Sequence, residues 1–424
     1  MFEAASKTQD TLSLAEWIIK GSWSQMNDYN PFMTLVKGAD GDTKPFITAA
    51  CESYKRAVET GIEPEGGFSW EAPGDNLKSL PSYAKQSASY KFGIPALYSG
   101  SLEQSSVILV LLNPGGTYND MDLTIWSAIK QDGGDLVPPK TVAEFLEIYD
   151  ENGKFRDPNE NWTIDLARLK AYVWDDQRNK LYQELADETN RYDEVPLLTR
   201  MKTDGIADVK SAKQEYYYFD KYFRGLFTPI GTQDHFFDVA VDRLADIANK
   251  SEAEGKEFKE KIRKLKIATL DLFPYRSKTI TLPKKEIASV CKQASSRFVI
   301  SVILKRIYEY EHRSETADLV PPRFIIRSYK DRKGNPGIWE SAIQEFLQQE
   351  ENQKIDLSMA TIAKYVLTFS SFQNVVMTEK NLRQVTPQEK GAQVAAIETA
   401  EYEQLIKVSG IDALFSKEAV AMKG

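Results

Sequence analysis

Asn113, Pro114, Gly115 and Gly116 form the segment of this sequence with the clearest chemical potential. They follow residues 106–112, an almost entirely apolar run that is typical of a strand buried on both faces of a parallel sheet. Ligands of open α/β sheets bind at the carboxyl ends of the strands. Because proline fixes the backbone and glycines allow its close approach, the segment predicts a ligand site with the Asn113 amide at its mouth.

Three later apolar runs, at residues 266–273, 323–329 and 373–377, also end in polar or basic turns. These turns contain Phe273, Tyr275, Arg276, Lys278, Lys330, Arg332, Lys333, Lys380, Asn381 and Arg383. Aromatic faces can stack on a base, Arg and Lys hold phosphate, and an amide reads a base edge. If the strands are parallel, their ends share one edge, which predicts a site for a base or sugar beside phosphate.

The elements that would position these residues alternate between strand and helix. Helical spacing is found at residues 12–22, 45–61, 287–310 and 338–349. Strands that alternate with helices predict an α/β fold, with a parallel central sheet flanked by helices and right-handed crossovers.

The order of the segments predicts a core that is interrupted once. Residues 1–100 are expected to form a mainly helical N-terminal region, and residues 101–130 with 261–387 the α/β core. Residues 131–260 are expected to form a large helical insertion or lid, and residues 388–424 a C-terminal helical extension. Within the insertion, the aromatic block at residues 216–223 is expected to be mainly core, with a stacking surface as the alternative.

The amino-acid composition argues against three classes of protein: metal-binding, iron–sulfur and membrane-spanning proteins. The chain of 424 residues has only two cysteines and two histidines, so neither a metal site nor an iron–sulfur cluster is expected, and no cofactor is predicted. No run reaches the roughly 18 apolar residues that a membrane span needs, and the N-terminus has no signal-peptide pattern. A cytoplasmic protein without a membrane partner is therefore expected.

The net charge of −8 is unevenly distributed. Residues 261–333 contain 18 Lys and Arg against 7 Asp and Glu, so a basic segment lies within an acidic protein. A localised positive field attracts polyanions, which favours nucleic acid as a partner. The alternative is a set of solvated helix faces.

The strand followed by Asn-Pro-Gly resembles the first motif of the uracil-DNA glycosylase superfamily. It is similar to the mismatch-specific and single-strand-selective branches, whose motif ends Gly-x-Asn-Pro-Gly; Leu111 replaces that glycine here. The turn at 272–275 is similar to the end of the family's middle strand. The loop at 378–383 lies where the family's second motif usually carries a histidine, and this chain has Glu379, Lys380 and Asn381 instead.

The resemblance implies a DNA glycosylase that flips a base out of the helix and hydrolyses its N-glycosidic bond. Asn113 would position the attacking water, while backbone N–H groups at Gly115 and Gly116, or Lys380, would stabilise the leaving base. Pro114 and Asn381 would also border the base. Stacking is expected from Tyr118, Phe273 or Tyr275. Phosphate contacts are expected from Arg276, Lys278, Lys330, Arg332, Lys333, Lys380 and Arg383.

Because residues 378–383 lack the histidine that the family's second motif usually carries, we expect the substrate base to be one other than uracil. The superfamily is reported to include anti-phage members that excise hypermodified bases such as glucosylated cytosines, and a large insertion beside the pocket would suit a bulky base. DNA, including modified phage DNA, is therefore the expected partner.

Several alternatives stay open at this stage. Asn-Pro-Gly-Gly is also an ordinary turn sequence, Tyr275 is as compatible with packing as with stacking, and Asp271 is either a buried hydrogen-bonded acid or a catalytic carboxylate. At the level of function, the alternatives are a non-catalytic nucleic-acid or nucleotide-binding module and a hydrolase of nucleosides or nucleotide sugars.

Overall fold

A computed structural model describes most of the chain. The described residues are 12–38, 40–60, 68–80, 94–114, 131–132, 135–136, 166–188, 195–232, 237–248, 251–276, 287–313, 320–330, 335–371, 373–385 and 394–415.

A mixed β-sheet forms the centre of the fold. Its strands are β3 (Tyr98–Ser99), β4 (Val107–Leu111), β7 (Trp174–Asp175), β8 (Ile267–Asp271), β9 (Arg323–Ile326), β10 (Val366–Phe369), β11 (Leu382–Val385) and β12 (Val394–Ala396). They lie in the order β12-β11-β10-β9-β4-β8-β3-β7. Separate two-stranded sheets are formed by β1 (Leu35–Lys37) with β2 (Thr43–Pro45) and by β5 (Gln131–Asp132) with β6 (Asp135–Leu136).

The four middle strands of this sheet are parallel. Val110 of β4 pairs with Leu270 of β8 on one side and with Ile326 of β9 on the other, and β10 pairs in parallel with β9. The predicted α/β class is thus confirmed, as are the strands predicted at 106–112, 266–273 and 323–329. The sheet as a whole is mixed rather than parallel, because β3 runs antiparallel to β8 and β11 antiparallel to β10.

The fourth predicted strand was wrong. Residues 373–377 are irregular, and the fourth parallel strand is β10, which lies a few residues earlier. The apolar side chains of Val375 and Met377 instead fill the core on one face of the sheet, and the Met377 N–H donates to the Tyr222 carbonyl. Burial of a short apolar run therefore does not require a place in the sheet.

The helices cover both faces of the sheet. They are α1 (Leu14–Lys20), α2 (Met26–Tyr29), α3 (Phe46–Thr60), α4 (Leu166–Val173), α5 (Lys180–Leu185), α6 (Leu197–Thr203), α7 (Ile206–Ser211), α8 (Phe237–Ala248), α9 (Glu252–Arg263), α10 (Ile287–Val290), α11 (Ala294–Glu311), α12 (Ile338–Gln348), α13 (Met359–Ala363), α14 (Thr399–Ser409) and α15 (Ile411–Phe415). A π-helical turn spans Phe219–Phe223. The predicted helix at 287–310 is broken between α10 and α11. No helix in the described ranges has the length and apolarity needed to cross a membrane.

Alternation of side chains along the strands divides the interior into two cores. On the first face, Ile108 and Val110 pack with the N-terminal region, α11 and α12. On the second face, Leu109 and Leu111 pack with α5 to α9, the π-helical turn, α14 and α15. The insertion is therefore divided between the two faces, with α4 beside the N-terminal region on the first face and α5 to α9 on the second. The N-terminal region and the insertion also supply one short strand each, β3 and β7, to the sheet.

Candidate functional site

The sheet reverses its strand order beside β4. The chain places β8 on one side of β4 and then crosses to the other side to form β9 and β10. Such a switch point opens a crevice at the carboxyl ends of the strands, where α/β proteins bind their ligands. The segments just past the strands stay adjacent here, since the Arg327 N–H donates to the Val110 carbonyl and the Phe273 N–H to the Leu112 carbonyl.

Asn113 lies at this edge. It follows β4 by two residues, its side chain is half-buried, and its Nδ2 donates to the Pro114 carbonyl over 3.2 Å. Gly115, Gly116 and Tyr118, which were predicted to contact the substrate, lie outside the described residues.

Phe273 and Tyr275 are core residues. Both side chains are almost fully buried in the core on the first face of the sheet, with ring centroids 5.1 Å apart. The Tyr275 hydroxyl donates to Asp75 over 2.6 Å and accepts from the Ala72 N–H over 2.8 Å. Since neither ring has a free face on which a base could stack, we do not retain them in the candidate site.

The residues predicted to hold phosphate are dispersed. Lys330 is paired with Glu340 over 2.6 Å and is largely buried. Arg276 donates to the Ile94 carbonyl, and Arg383 donates to the carbonyls of its own turn. Lys380 is exposed. Lys278, Arg332 and Lys333 lie outside the described residues.

The basic excess of residues 261–333 is likewise not one exposed face in the described part of the segment. Lys305 is buried and donates to the carbonyls of Trp17 and Gly21 at the end of α1. Arg306 is also largely buried, with a hydrogen bond to the Ser105 carbonyl. These two cations therefore belong to the packed fold and not to an exposed basic face.

Asn381 does reach the predicted edge. Its carbonyl accepts from the N–H of Ser370, the residue that follows β10, and its Nδ2 donates to the Val376 carbonyl over 3.0 Å. β10 and β4 are separated by β9 alone, so their ends lie about 10 Å apart at the usual strand spacing. The two asparagines thus share an edge, whereas Tyr275 belongs to the core on the opposite side of the sheet from the cluster described next.

The structure adds a group of polar residues that the sequence did not bring together. We call it the carboxyl-edge cluster, and it consists of Lys180, Tyr218, Tyr222, Asp271 and Arg327. Arg327 follows β9 and donates to the Tyr222 hydroxyl over 3.4 Å. The rings of Tyr218 and Tyr222 are 6.1 Å apart, and the Lys180 Nζ lies 5.3 Å from the centre of the Tyr218 ring.

Two local contacts fix the helical side of this cluster. Asn179 caps α5 by accepting from the Tyr182 N–H, which sets the start of that helix at Lys180. Glu184 on the same helix accepts from the N–H groups of Tyr218 and Phe219 at 2.8 and 2.7 Å. These bonds hold the start of the π-helical turn, and such turns occur often at functional sites.

Asp271 is an ionisable group of the cluster whose pKa is strongly perturbed. It is the last residue of β8, its side chain is buried, and burial raises its pKa to about 8. The positive charges of Lys180 and Arg276 act in the opposite direction but do not cancel this effect. Asp271 is therefore mainly protonated at neutral pH.

The backbone is strained immediately beside Arg327. Ser328 has a φ of 71°, which is the left-handed region that residues with a Cβ rarely adopt. Strained positions of this kind concentrate at functional sites, where the surrounding structure compensates for them.

Two residues of the carboxyl-edge cluster, Asp271 and Arg327, could be predicted from their positions at strand ends in the sequence. The sequence marks Asp271 as an acid inside an apolar strand, and Arg327 directly follows the neighbouring strand, which ends at Ile326. The aromatic block was predicted to be mainly core, and the burial of Tyr216, Phe219 and Phe223 confirms this. No sequence signal indicated Lys180.

Comparisons with known proteins identify no relative. No family model matches the chain, and neither a curated protein nor a solved structure does. Among the described residues, no group of three or more His, Cys, Asp or Glu is arranged to hold a metal ion.

Proposed function

We propose that the protein is a DNA glycosylase-like hydrolase that cleaves the N-glycosidic bond of a flipped base. The observation that carries the proposal is Asn113 at the carboxyl end of β4, beside the switch point and on the same edge as the carboxyl-edge cluster. The resemblance of Asn113-Pro114-Gly115 to the first motif of the uracil-DNA glycosylase superfamily supports it.

Hydrolysis at this site requires a placed water rather than a strong base. As the bond from C1′ to the base breaks, its electron pair goes to the base nitrogen and the sugar gains oxocarbenium character. An amide such as that of Asn113 can hold the water below C1′ by hydrogen bonds, which contributes to the rate through positioning. A base could stack on the rings of the half-buried Tyr217 and Tyr218. The guanidinium of Arg327 could donate two hydrogen bonds to a phosphate.

The proposed substrate class is DNA that carries a bulky modified base. The absence of histidine from residues 378–383, where Asn381 lies instead, supports a base other than uracil. Glucosylated cytosines of phage DNA belong to this class.

Formation of abasic sites tests the proposal. The protein is incubated with oligonucleotides that carry cytosine, uracil or glucosylated hydroxymethylcytosine, and abasic sites are cleaved with alkali and counted. We expect cleavage of the modified strand and a loss of about 100-fold or more in Asn113→Ala, the scale seen when one catalytic hydrogen-bonding group is removed. DNA that is bound but yields no abasic site with any of these or other modified or damaged bases would contradict the proposal.

Asn76→Ala is the matched control for this experiment. Asn76 is exposed, precedes a short 3-10 helix and makes no capping hydrogen bond with its side chain. Its substitution should leave the rate unchanged.

A second candidate function is hydrolysis of free nucleosides or nucleotides. It is favoured by the pairing of Lys330 with Glu340 and by the burial of Lys305 and Arg306, since paired or buried cations contribute little to the grip on a polymer. Release of base from free nucleosides or nucleotides, without release from oligonucleotides, would select this candidate.

A further inference from the structure

Asp271 differs from three other buried acids of the described chain in the hydrogen bonding of its carboxyl. Asp175, Glu184 and Asp187 each accept from backbone N–H groups or from Arg178. The Oδ1 of Asp271, in contrast, is buried without a hydrogen-bond partner in the described structure. An unsatisfied buried carboxyl destabilises the fold, so its presence calls for a functional explanation.

The position of Asp271 points to the candidate site. In the sheet, Asp271 is the direct partner of Leu111, which lies two residues before Asn113. Adjacent strands are about 4.8 Å apart, so the acid and the amide leave the sheet from neighbouring strand ends. By alternation along β8, the Asp271 side chain lies on the second face, together with α5 and the π-helical turn.

We propose that Asp271 is the general acid that protonates the departing base. This inference rests on the proposed function and adds a catalytic residue to it. Its support is the buried carboxyl at the end of β8, on the strand next to that of Asn113, whose Oδ1 has no hydrogen-bond partner among the described residues. The charged groups that act on Asp271 are Lys180 on α5 and Arg276 beyond β8.

The proposed reaction needs no reactant other than water, which supplies the nucleophile and returns the proton to Asp271. The bond from C1′ to the base nitrogen breaks, its electron pair goes to the base, and the Asp271 proton neutralises the base as it leaves. The oxygen of the water held by Asn113 bonds to C1′ and releases one proton to solvent, from which Asp271 is protonated again. The products are the free base and an abasic sugar.

The protonation state of Asp271 at rest suits this role. Burial keeps the carboxyl protonated at neutral pH, and the pKa of about 8 is close to the operating range that favours proton transfer. The positive charge of Lys180 lowers the pKa of Asp271, so it favours the carboxylate that forms when the proton has left.

The experiment combines Asp271→Asn with a pH profile. On the DNA that the wild-type protein cleaves, kcat/KM should be constant below pH 8 and should fall tenfold per pH unit above it. Asp271→Asn should be slower by about 100-fold or more and should lose this descending limb. Asp356→Asn, in an exposed acid, is the matched control and should behave as the wild type.

The outcomes separate the two proposals. A wild-type protein that forms no abasic sites on any substrate overturns the proposed function and this inference with it. A wild-type protein that forms them, with a flat profile from pH 6 to 10 or with full activity in Asp271→Asn, overturns only the role of Asp271. The wild-type profile decides the question even if the variant does not fold, which circular dichroism would reveal.

Discussion

Arg327 and Tyr222 connect the central sheet to its helical layer, because the guanidinium at the carboxyl end of β9 donates to the hydroxyl of a tyrosine on the π-helical turn over 3.4 Å. The Tyr222 ring is buried and lies 6.5 Å from Phe369 at the end of β10. The tyrosine therefore holds a half-buried cation at the switch point in a defined orientation.

Substitution of Arg327 should weaken substrate binding. If the guanidinium contacts one phosphate, Arg327→Met should lower affinity for DNA about tenfold and reduce the slope of log K against log salt by about one. Arg327→Lys should recover the salt slope but not the full affinity, because lysine lacks the planar fork. Fluorescence anisotropy at several salt concentrations measures both quantities.

Arg263→Met is the control for that measurement. Arg263 is a half-exposed residue at the end of α9 with a long contact to Glu260. An unchanged salt slope in Arg327→Met would remove Arg327 from the binding site.

Glu184 should be important for stability as well as for the site. Glu184→Ala leaves the N–H groups of Tyr218 and Phe219 without their acceptor, and the free energy of unfolding should fall by about 2 kcal/mol, in the range for charged hydrogen bonds. Glu184→Gln keeps one acceptor oxygen and should lose less. Urea denaturation gives the values, and Glu188→Ala, in a mostly exposed side chain, should change them little. Equal stabilities for the two Glu184 variants and the wild type would show that these bonds do not hold the turn.

The stability of the fold should depend on the ionisation of Asp271. Its pKa in the folded protein is above that of an unfolded aspartate, so the folded state binds the proton more tightly. The resulting stabilisation is fully present below about pH 4 and is lost as pH rises to about 8. Asp75, with a pKa raised by burial to about 6, contributes in the same direction over the lower part of this range.

Chemical denaturation at pH 6.5 and pH 8.5 isolates the contribution of Asp271, since most of the Asp75 effect is complete by pH 6.5. The wild type should lose more stability between these pH values than Asp271→Asn does, by an amount on the order of 1 kcal/mol. Parallel losses in the two proteins would mean that the folded state does not hold the Asp271 proton.

Tyr275 should be a structural residue. Tyr275→Phe removes a buried hydroxyl that donates to Asp75 and accepts from the Ala72 N–H, so the free energy of unfolding should fall by about 1–3 kcal/mol. The rate of base release from the folded variant should not change. A fully stable variant with a large loss of rate would instead restore Tyr275 to the substrate site.

The strands around the site could be predicted because each is marked by consecutive apolar residues in the sequence. β4, β8 and β9 are short runs of apolar residues, and such runs have few folded environments other than the middle of a sheet. The same argument misplaced the fourth strand, since Val375 and Met377 satisfy their apolar character in the core on the second face without pairing in the sheet.

The sequence by itself determined the α/β class, the first three parallel strands and the position of Asn113 at a strand end, because these depend on residues that are neighbours along the chain. Only the tertiary structure decided that Tyr275 is enclosed in the core and that Lys330 is paired. It also decided that Lys180, Tyr222 and Arg327 meet near Asp271. Those outcomes depend on how separate elements pack against one another, from ten residues apart for Lys330 and Glu340 to 200 for Tyr275 and Asp75, and no apolar pattern along the chain encodes that choice.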